Sequence, residues 1–513
     1  MSATTVAAGD AGQPPINRVM LTGTVMLASI LQALDNTIAN VALPHMQGTL
    51  SATQDQMTWV LTSYIVAAAI MTPLTGWLAG RIGRKRLFLV SIVGFTIASA
   101  LCGLAQTLPE IVLFRLLQGL CGAALVPMSQ AVLFDINPPE RHGKAMAVWG
   151  LGVVLGPTLG PVIGGWLTDN YNWRWVFYIN VPFGILAVLG ILAFLPETKT
   201  TSKRFDFLGF ALLSLAIGSL QVMLDRGPLK DWFGSTEICI EAAVAGLSLY
   251  LFLVHSATSE HPFIPPAMFK DRNFVAGNVF IFLVGIVLFA TLALLPPLLQ
   301  NLLGYSVFEA GLVTAPRGAG TFIAMLFVGR LVGLIDVRLI IATGFALTAF
   351  SLWQMVGFSP LMDRWPIIWS GVTQGIGTGI AYVPLAAMAF ATLNPALRNE
   401  GTAFFNLMRN VGSSIGISMV QALLTSNTQV MHSSLGADIT PYNLANHSPA
   451  LAQQMSTSAG LTALNGQLNF QASMIAYLDD FKLMLILTVA AMPLLLLARS
   501  GKKRNDEPPM ILE

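Results

Sequence analysis

The sequence predicts an all-α polytopic membrane protein, and two observations support that prediction. Of its 513 residues, 54% are hydrophobic and only 10% are charged, whereas soluble domains average about 25% charged residues. Apolar runs that approach the roughly 20 residues needed to cross a bilayer recur fourteen times along the chain. A cytosolic enzyme, a disordered chain and a coiled coil are all disfavoured by this composition.

The fourteen predicted spans follow one another almost without long interruptions. They lie at 18–43, 57–79, 87–106, 109–133, 145–167, 175–195, 207–224, 236–256, 274–298, 308–332, 338–357, 366–390, 401–425 and 480–498. We expect residues 1–17 to form a disordered cytoplasmic tail and residues 500–513 a basic one. The first run lacks a small-residue cleavage site after a short apolar core, so we expect a retained helix.

The distribution of basic residues predicts the orientation. With the amino terminus in the cytoplasm, 19 of the 27 lysines and arginines fall in inner loops and tails, and five fall outside. Positive charge accumulates on the cytoplasmic side of membrane proteins. We therefore expect a multi-pass membrane protein with both termini in the cytoplasm.

One long connection, residues 426–479, is polar and almost uncharged, and this topology places it outside. Loops of this length are either functional or disordered. The segment is therefore either a floppy loop or a small helical docking surface for an extracytoplasmic partner.

Three short motifs recur in the second part of the chain, in the same order and at nearly the same separation. Repeated halves are typical of secondary transporters, whose binding site lies between the halves near the bilayer midplane. The echoes are GWLAGRIGRKRLFLV (76–90) with GRLVGLIDVRLII (329–341), Gln118-Gly119 with Gln374-Gly375, and NPPER (137–141) with NPALR (394–398). They predict two six-helix halves, 18–195 and 261–499, separated by two extra transmembrane helices within 196–260.

Several kinds of chemistry have no motif in this sequence. There is no GxxxxGK[ST] for ATP and no HExxH, and the three cysteines form no CxxC pair. A net charge of +2 does not suit nucleic acid. Gly412-Ser413-Ser414-Ile415-Gly416 fits GxSxG, but it lies within a helical run, where close helix packing is the better interpretation. We expect no catalytic residues, no metal and no cofactor, and an ion gradient as the energy source.

Charged residues inside spans are the most informative, because each is costly unless it is paired or hydrated. Asp35 lies well inside the first run and Arg115 inside the fourth. They are either a permanent structural ion pair or a proton-coupling site, where burial favours the protonated acid and Arg115 favours the charged one. Gln32, Asn36 and Gln118 lie within a helical turn of these charges and either line the same polar cavity or join helices.

Two arginines are candidates in the second half. Arg409 is deep in its span and is predicted to line the substrate cavity. Arg317 is closer to a helix end, so we expect its side chain to snorkel toward the membrane surface.

The fifth run carries the most specific pattern. Gly152, Gly156, Gly160 and Gly164 are spaced four residues apart and share one helix face, and Pro161 and Gly165 lie in the same turns. Such spacing lets two backbones approach closely. Four glycines leave this face of the helix without side chains over its whole length, which predicts a helix that moves against its neighbour.

These motifs resemble those of the major facilitator superfamily. The loop at 76–90 is similar to its inner-gate motif, with Gly76, Arg81, Gly83, Arg84 and Lys85 in place, although Gly80 stands where the superfamily usually has Asp. LPEIVLFRLLQGLCGAA resembles the fourth-helix motif, and the fifth-helix glycines match the antiporter motif. LDNTIANVALP, NWRWVFYINVPFG and LDRGPLKDWF resemble the fourteen-helix drug:proton antiporters.

The resemblance implies a major facilitator fold and proton-driven efflux of hydrophobic or amphipathic drugs across the inner (plasma) membrane. It also implies a periplasmic adaptor and an outer-membrane channel as partners, and a weaker or different inner-gate latch because of Gly80. Two rivals remain open. A nutrient symporter could have the same fold, and a channel or receptor could carry buried charges for structural reasons.

Overall fold

The computed structural model describes residues 18–52, 54–138, 141–197, 200, 204–331, 334–394, 397–437 and 457–497. Almost all of these residues belong to helices. The first eight are α1 (Arg18–Leu50), α2 (Gln54–Ile82), α3 (Arg84–Leu104), α4 (Leu108–Gly122), α5 (Leu125–Ile136), α6 (His142–Asn170), α7 (Trp175–Tyr178) and α8 (Asn180–Phe194). The next two are α9 (Phe207–Arg226) and α10 (Thr236–Thr258). The remaining seven are α11 (Arg272–Pro297), α12 (Val307–Thr314), α13 (Pro316–Leu331), α14 (Val337–Val356), α15 (Arg364–Ala391), α16 (Arg398–Ala437) and α17 (Ser458–Ala491).

Each of the fourteen predicted runs coincides with a long helix or with two short helices in succession. Within the described residues, eleven helical segments are long and apolar enough to cross a membrane. Helices α6, α16 and α17 are not among these eleven segments. The polytopic helical fold is confirmed, whereas the count of fourteen spans stays a prediction.

Successive spans run in alternating directions, with α4 and α5, α7 and α8, and α12 and α13 each forming one span, and this defines two ends of the bundle. We call the end where α1 begins the terminus side and the opposite end the distal side. Helices α1–α8 form the first half and α11–α17 the second. Between them in sequence, α9 packs against α10 and also against α2 and α16, so the extra pair contacts both halves.

Asp206 fixes the extra pair on the terminus side. It caps α9 by accepting from the backbone N–H of Gly209 at 2.8 Å, and it accepts from the N–H of Phe263 at 3.0 Å. His255 Nε2 at the end of α10 lies 2.9 Å from both of its carboxylate oxygens. Burial alone would raise the pKa of Asp206, but these hydrogen bonds and the His255 charge together hold it below its usual value.

The hydrophobic core is shared between the halves on the terminus side only. The largest cluster joins Phe134 and Trp149 of the first half to Tyr382 and Phe390 of the second. The two other clusters each belong to one half and lie toward the distal side, around Phe177 in the first half and Phe481 in the second. The halves are therefore fused at the terminus side and have separate cores at the distal side.

The connection 426–479 is largely helical where the structure describes it. Helix α16 has 40 residues, about 60 Å at 1.5 Å per residue, and continues to residue 437, and α17 begins at residue 458. His432 Nε2 lies 2.8 Å from Asn465 Oδ1 and joins the two extensions. A floppy loop is therefore wrong for 426–437 and 458–479, while residues 438–456 lie outside the described residues.

The echoed motifs have the same packing role in both halves. A methyl group on Gly119 would overlap the carbonyl oxygen of Tyr64, and one on Gly375 would overlap that of Arg317. In both cases glycine lets a helix contact the backbone of the helix two positions earlier in the chain, α2 for α4 and α13 for α15. The GxSxG stretch is also a packing contact, because Gly412 and Gly416 meet the backbone of α11.

Candidate functional site

A buried ion pair joins α1 to α4 in the first half. Arg115 Nη1 donates to Asp35 Oδ2 at 2.6 Å, and both side chains are almost completely buried. Asp35 lies midway along α1 and Arg115 two turns into α4. The structure thus brings the two charges together, while their role in proton coupling stays a prediction.

Two amides complete the hydrogen bonding of this carboxylate. Gln118 Nε2 and Asn180 Nδ2 both donate to Asp35 Oδ1, at 2.8 and 2.9 Å. Gln118 follows Arg115 by three residues and so shares its helix face, as the sequence predicted. Asn180 was not predicted, since a single neutral amide at the start of α8 carries no distinctive spacing. Its Nδ2 also donates to Ser99 Oγ at 3.0 Å.

The described groups around Arg115 all stabilise the positive charge of its guanidinium. Its Nε donates to the carbonyl oxygen of Val60 at 3.1 Å, and its Nη1 donates to Gln118 Oε1 at 2.9 Å. The guanidinium carbon lies 4.3 Å from the centre of the Tyr64 ring, a favourable cation–π distance. Loss of the Asp35 charge would remove the one anion in this set.

The second half has the same amide at the equivalent position but lacks the acid. Gln374 and Thr291 lie the same 256 residues after Gln118 and Asp35. Gln374 Nε2 donates to Thr291 Oγ1 at 3.1 Å, which reproduces the amide contact with a hydroxyl in place of the carboxylate. The repeat is therefore structural, and the titratable group at this position belongs to the first half alone.

Gln32 and Asn36 form no direct hydrogen bond with Asp35 or Arg115 within the described residues. Asn36 is exposed and Gln32 is half-buried, with no hydrogen-bond partner for its Oε1 among the described residues. Gln32 shares a face of α1 with Asp35, three residues away, and both amides lie beside Tyr64, whose ring packs on Arg115. Their place in a substrate cavity stays a prediction.

Arg409 lies beside the contact between the halves. Its Nη1 is 3.4 Å from the Tyr382 hydroxyl oxygen and its Nη2 is 3.3 Å from Asn410 Oδ1. The Tyr382 ring in turn stacks on Trp149 of the first half, with ring centres 6.4 Å apart. The structure therefore places Arg409 beside Tyr382, which in turn contacts the first half, while its position in a substrate cavity stays a prediction.

The predicted snorkelling of Arg317 is wrong. Its side chain is buried inside the second half, where Nη2 donates weakly to the carbonyl oxygen of Leu288 at 3.4 Å. Its Nη1 has no hydrogen-bond partner within the described residues. The sequence suggested a helix end, but Arg317 follows the short helix α12 and so lies about ten residues into the span.

The glycine face of α6 packs against α1, within the first half. A methyl group on Gly156 would lie 2.6 Å from Ala33 Cβ, and one on Gly164 would lie 2.7 Å from Ile38 Cγ1. Gly152 and Gly160 contact α1 in the same way, whereas Gly165 faces open space. The Thr37 hydroxyl donates across the contact to the Gly156 carbonyl at 3.2 Å. The side chain of Pro161 lies outside the described residues, and movement of α6 stays a prediction.

The loop motif forms a contact between the halves on the terminus side. A methyl group on Gly76 of α2 would lie 3.0 Å from the Cα of Glu400 in α16, so glycine permits this close approach. Gly83 has a φ of +86° in the turn between α2 and α3, a conformation that favours glycine. Lys85 Nζ donates to the carbonyl oxygen of Leu192 at 3.0 Å near the end of α8, and Arg81 is exposed on the same side.

Arg84, Asp135 and Arg398 form an ionic cluster across the halves, which we call the crossing cluster. Asp135 pairs with Arg84, its partner within the first half, and its other oxygen lies 3.8 Å from Arg398 Nη1 of the second half. Nearby, Asn406 Nδ2 donates to Gln130 Oε1 at 2.6 Å. These groups join the halves on the terminus side, where Gly80 stands in place of the usual acid of the motif. Whether the inner-gate latch rests on them or is weaker stays a prediction.

Two six-helix halves fused on one side, with a buried charge network in one half, define a membrane transporter of the two-bundle type. The family model of the Major Facilitator Superfamily matches residues 25–417, so the chain belongs to that superfamily. It is 39% identical over 428 residues to the "Multidrug export protein EmrB" of Escherichia coli (strain K12), covering 83% of this chain and 84% of that protein. It is 36% identical over 494 residues to the "Fatty acid resistance protein FarB" of Neisseria gonorrhoeae, covering 95% and 97%.

Solved structures support the same fold. The human organic anion transporter MFSD10 aligns with a TM-score of 0.57 at 16% identity, covering 93% of this chain and 100% of that one. The proton:xylose symporter XylE aligns with a TM-score of 0.57 at 14% identity, covering 91% and 94%. The major facilitator fold is thus confirmed.

Proposed function

We propose that this protein exports hydrophobic or amphipathic drugs across the inner membrane in exchange for protons. Relatives named for multidrug export and fatty acid resistance, at 39% and 36% identity, support efflux. The observation that carries the proton coupling is the buried pair of Asp35 and Arg115 with its shell of amides. The energy comes from the proton gradient, and neither a cofactor nor enzymatic chemistry takes part.

The coupling follows from the electrostatics of the pair. With Asp35 charged, Arg115 has an anion at 2.6 Å and the buried charges are matched. A proton on Asp35 leaves the guanidinium as an unmatched buried charge, and breaking a buried pair in this way is strongly destabilising, by about 3–5 kcal/mol. Protonation therefore favours a rearrangement of α1 against α4, which links proton binding to the conformation of the half.

The conformation described here is closed on the terminus side. The basic residues of the loops support a cytoplasmic location for that side, so the shared core and the crossing cluster seal the cytoplasmic face. We propose that export alternates this state with one in which these contacts separate. The fifth-helix glycines would then serve as the smooth surface on which α6 moves against α1.

Two alternatives share part of this evidence. The fold alone does not separate efflux from uptake, because a proton:xylose symporter aligns over most of the chain. The hydrogen-bonded pair is also what a permanent structural link would look like, as in a channel or receptor. The names of the sequence relatives favour export over both.

Counterflow in inside-out vesicles tests the proposal. With an acidic interior, drug added outside should be taken up as protons leave, so that the pH gradient falls in proportion to drug transport. A symporter would move protons and substrate in the same direction, and a channel would move substrate without coupling to the gradient. Either of these results would refute the proposed function.

We propose in addition that the paired helical extensions 426–437 and 458–479 receive a periplasmic adaptor, which passes drugs to an outer-membrane channel. Their position on the distal side and their nearly uncharged, exposed surface support a protein contact there. Shortening both extensions by equal lengths should leave counterflow in vesicles intact and abolish drug resistance in cells. Unchanged resistance would refute the adaptor surface.

A further inference from the structure

A second buried carboxyl group lies in the last helix, outside the network around Asp35. Asp480 is 1% exposed and lies in α17 between Tyr477 and Phe481, both part of the distal core of the second half. The Phe481 ring is 6.0 Å from the Phe358 ring. Asp480 is the first residue of the last predicted span, 480–498, so its burial could not be read from the sequence.

Both oxygens of Asp480 lack a hydrogen-bond partner in the part of the chain that the structure describes. Neither of them forms an ion pair with the described lysines, arginines or histidines. This is the opposite of Asp35, whose oxygens accept from an arginine and two amides.

The groups around Asp480 do not compensate a negative charge. Helix α17 packs against α11, α14 and α16, which present apolar residues such as Leu294, Leu352 and Val420 to this cluster. The titratable groups that act on Asp480 are Asp479 and Tyr477, and Asp479 adds like charge.

The charged residues of the neighbouring helices are directed elsewhere. Arg272 and Arg338 lie at the terminus-side ends of α11 and α14. On α16, Arg409 faces Tyr382 and His432 pairs with Asn465 on the distal extension. Arg398 and Glu400 lie at the terminus-side start of α16, and on α17 itself the Lys482 side chain is exposed.

An ionised carboxylate without a partner in such a site is very costly, and a buried acid avoids that cost by keeping its proton. We propose that Asp480 is a second proton carrier, protonated in this conformation and deprotonated later in the transport cycle. In the same conformation Asp35 is paired with Arg115, whereas Asp480 has no partner among the described residues, so the two acids have opposite surroundings. The inference rests on the proposed proton-coupled export and adds a proton to its stoichiometry.

Infrared spectroscopy of the purified protein in nanodiscs tests the protonation directly and needs no transport. The difference between the spectra of wild type and Asp480→Asn at neutral pH cancels the ester carbonyls of the lipid and the other carboxyl groups, and it should show the carbonyl stretching band of a protonated carboxyl group. The same difference taken with Asp479→Asn, the matched control one residue away, should not show it. Absence of the band from the Asp480→Asn difference, or an equal band in the Asp479→Asn difference, would overturn the inference.

The ratio of protons to drug molecules in proteoliposomes then tests the role in the cycle. Asp480→Asn keeps the size of the side chain but cannot carry a proton, so the ratio should fall by one relative to the wild type and to Asp479→Asn. An unchanged ratio in a variant that has lost the band would show a permanently neutral structural carboxyl group and overturn the proposal. Absence of proton flux in the wild type itself would refute the proposed function instead, and the second carrier with it.

Discussion

An alanine at Gly156 should disrupt the packing of α6 on α1. The added methyl carbon would lie 2.6 Å from Ala33 Cβ and 2.7 Å from Leu34 N, whereas carbon atoms pack best at about 3.5–4.0 Å. The two helices must therefore separate by about 1 Å or distort. Overpacking of this kind costs about 1–3 kcal/mol, and we expect that loss in the stability of the first half together with slower drug export.

Thermal unfolding of the purified variants and drug counterflow measure these two effects. Gly165→Ala is the matched control, since it adds the same methyl group to the same helix at a position with nothing within 4 Å. Gly156→Ala should unfold at a lower temperature than Gly165→Ala and transport more slowly. Cysteine labelling from the two sides of the membrane should become one-sided if α6 gates access. Equal stability and transport in the two variants would refute the packing argument, and lower stability with unchanged labelling would show that the glycines serve packing alone.

Three further substitutions test other parts of the structure. Arg115→Ala should abolish transport, since it leaves Asp35 buried without its cation at a cost of about 3–5 kcal/mol. Arg115→Lys should restore transport only in part. Recovery of coupled transport in a variant with both Asp35 and Arg115 made neutral would instead indicate a structural ion pair. Asp135→Asn should raise the labelling of single cysteines introduced on the terminus side by only a few fold, because partly exposed ion pairs contribute about 0.2–1 kcal/mol. Equal labelling of variant and wild type at low salt would contradict a latch. Asp206→Asn should lower the melting temperature at neutral pH, because the folded state holds the pKa of Asp206 below its unfolded value. The ionised carboxylate stabilises the fold above the unfolded pKa of about 3.9, and this stabilisation is lost as the pH falls through the folded pKa. A difference in melting temperature between variant and wild type that persists below the folded pKa would contradict the assignment.

Much of the fold could be predicted because apolar length and basic-residue placement directly reflect the membrane. The repeat was visible because glycines at close helix contacts, such as Gly119 and Gly375, tolerate no substitute. The helical extension of 426–479 was one of two open alternatives, since a polar, uncharged helix hairpin has no strong pattern in its sequence.

The site was predictable only where a charge marked it. Asp35, Arg115 and Gln118 were found because charges within spans are rare and a helical turn links the last two. Asn180 was missed since a neutral amide is equally common in helix contacts. Arg317 was misplaced because the break between α12 and α13 hides how deep the residue lies, a depth that depends on tertiary structure rather than on sequence distance.

The central claim is that Asp35 carries the proton that drives export, and drug-driven proton release tests it most directly. Adding a transported drug to the purified protein in weakly buffered solution should release protons from the wild type and from Asp169→Asn, which alters an exposed acid near the end of α6. Asp35→Asn keeps the size of the side chain but removes the titrating group, so the number of protons released per drug should fall below that of both the wild type and Asp169→Asn, while binding of a neutral drug continues. Undiminished proton release from a well-folded Asp35→Asn protein would contradict the account.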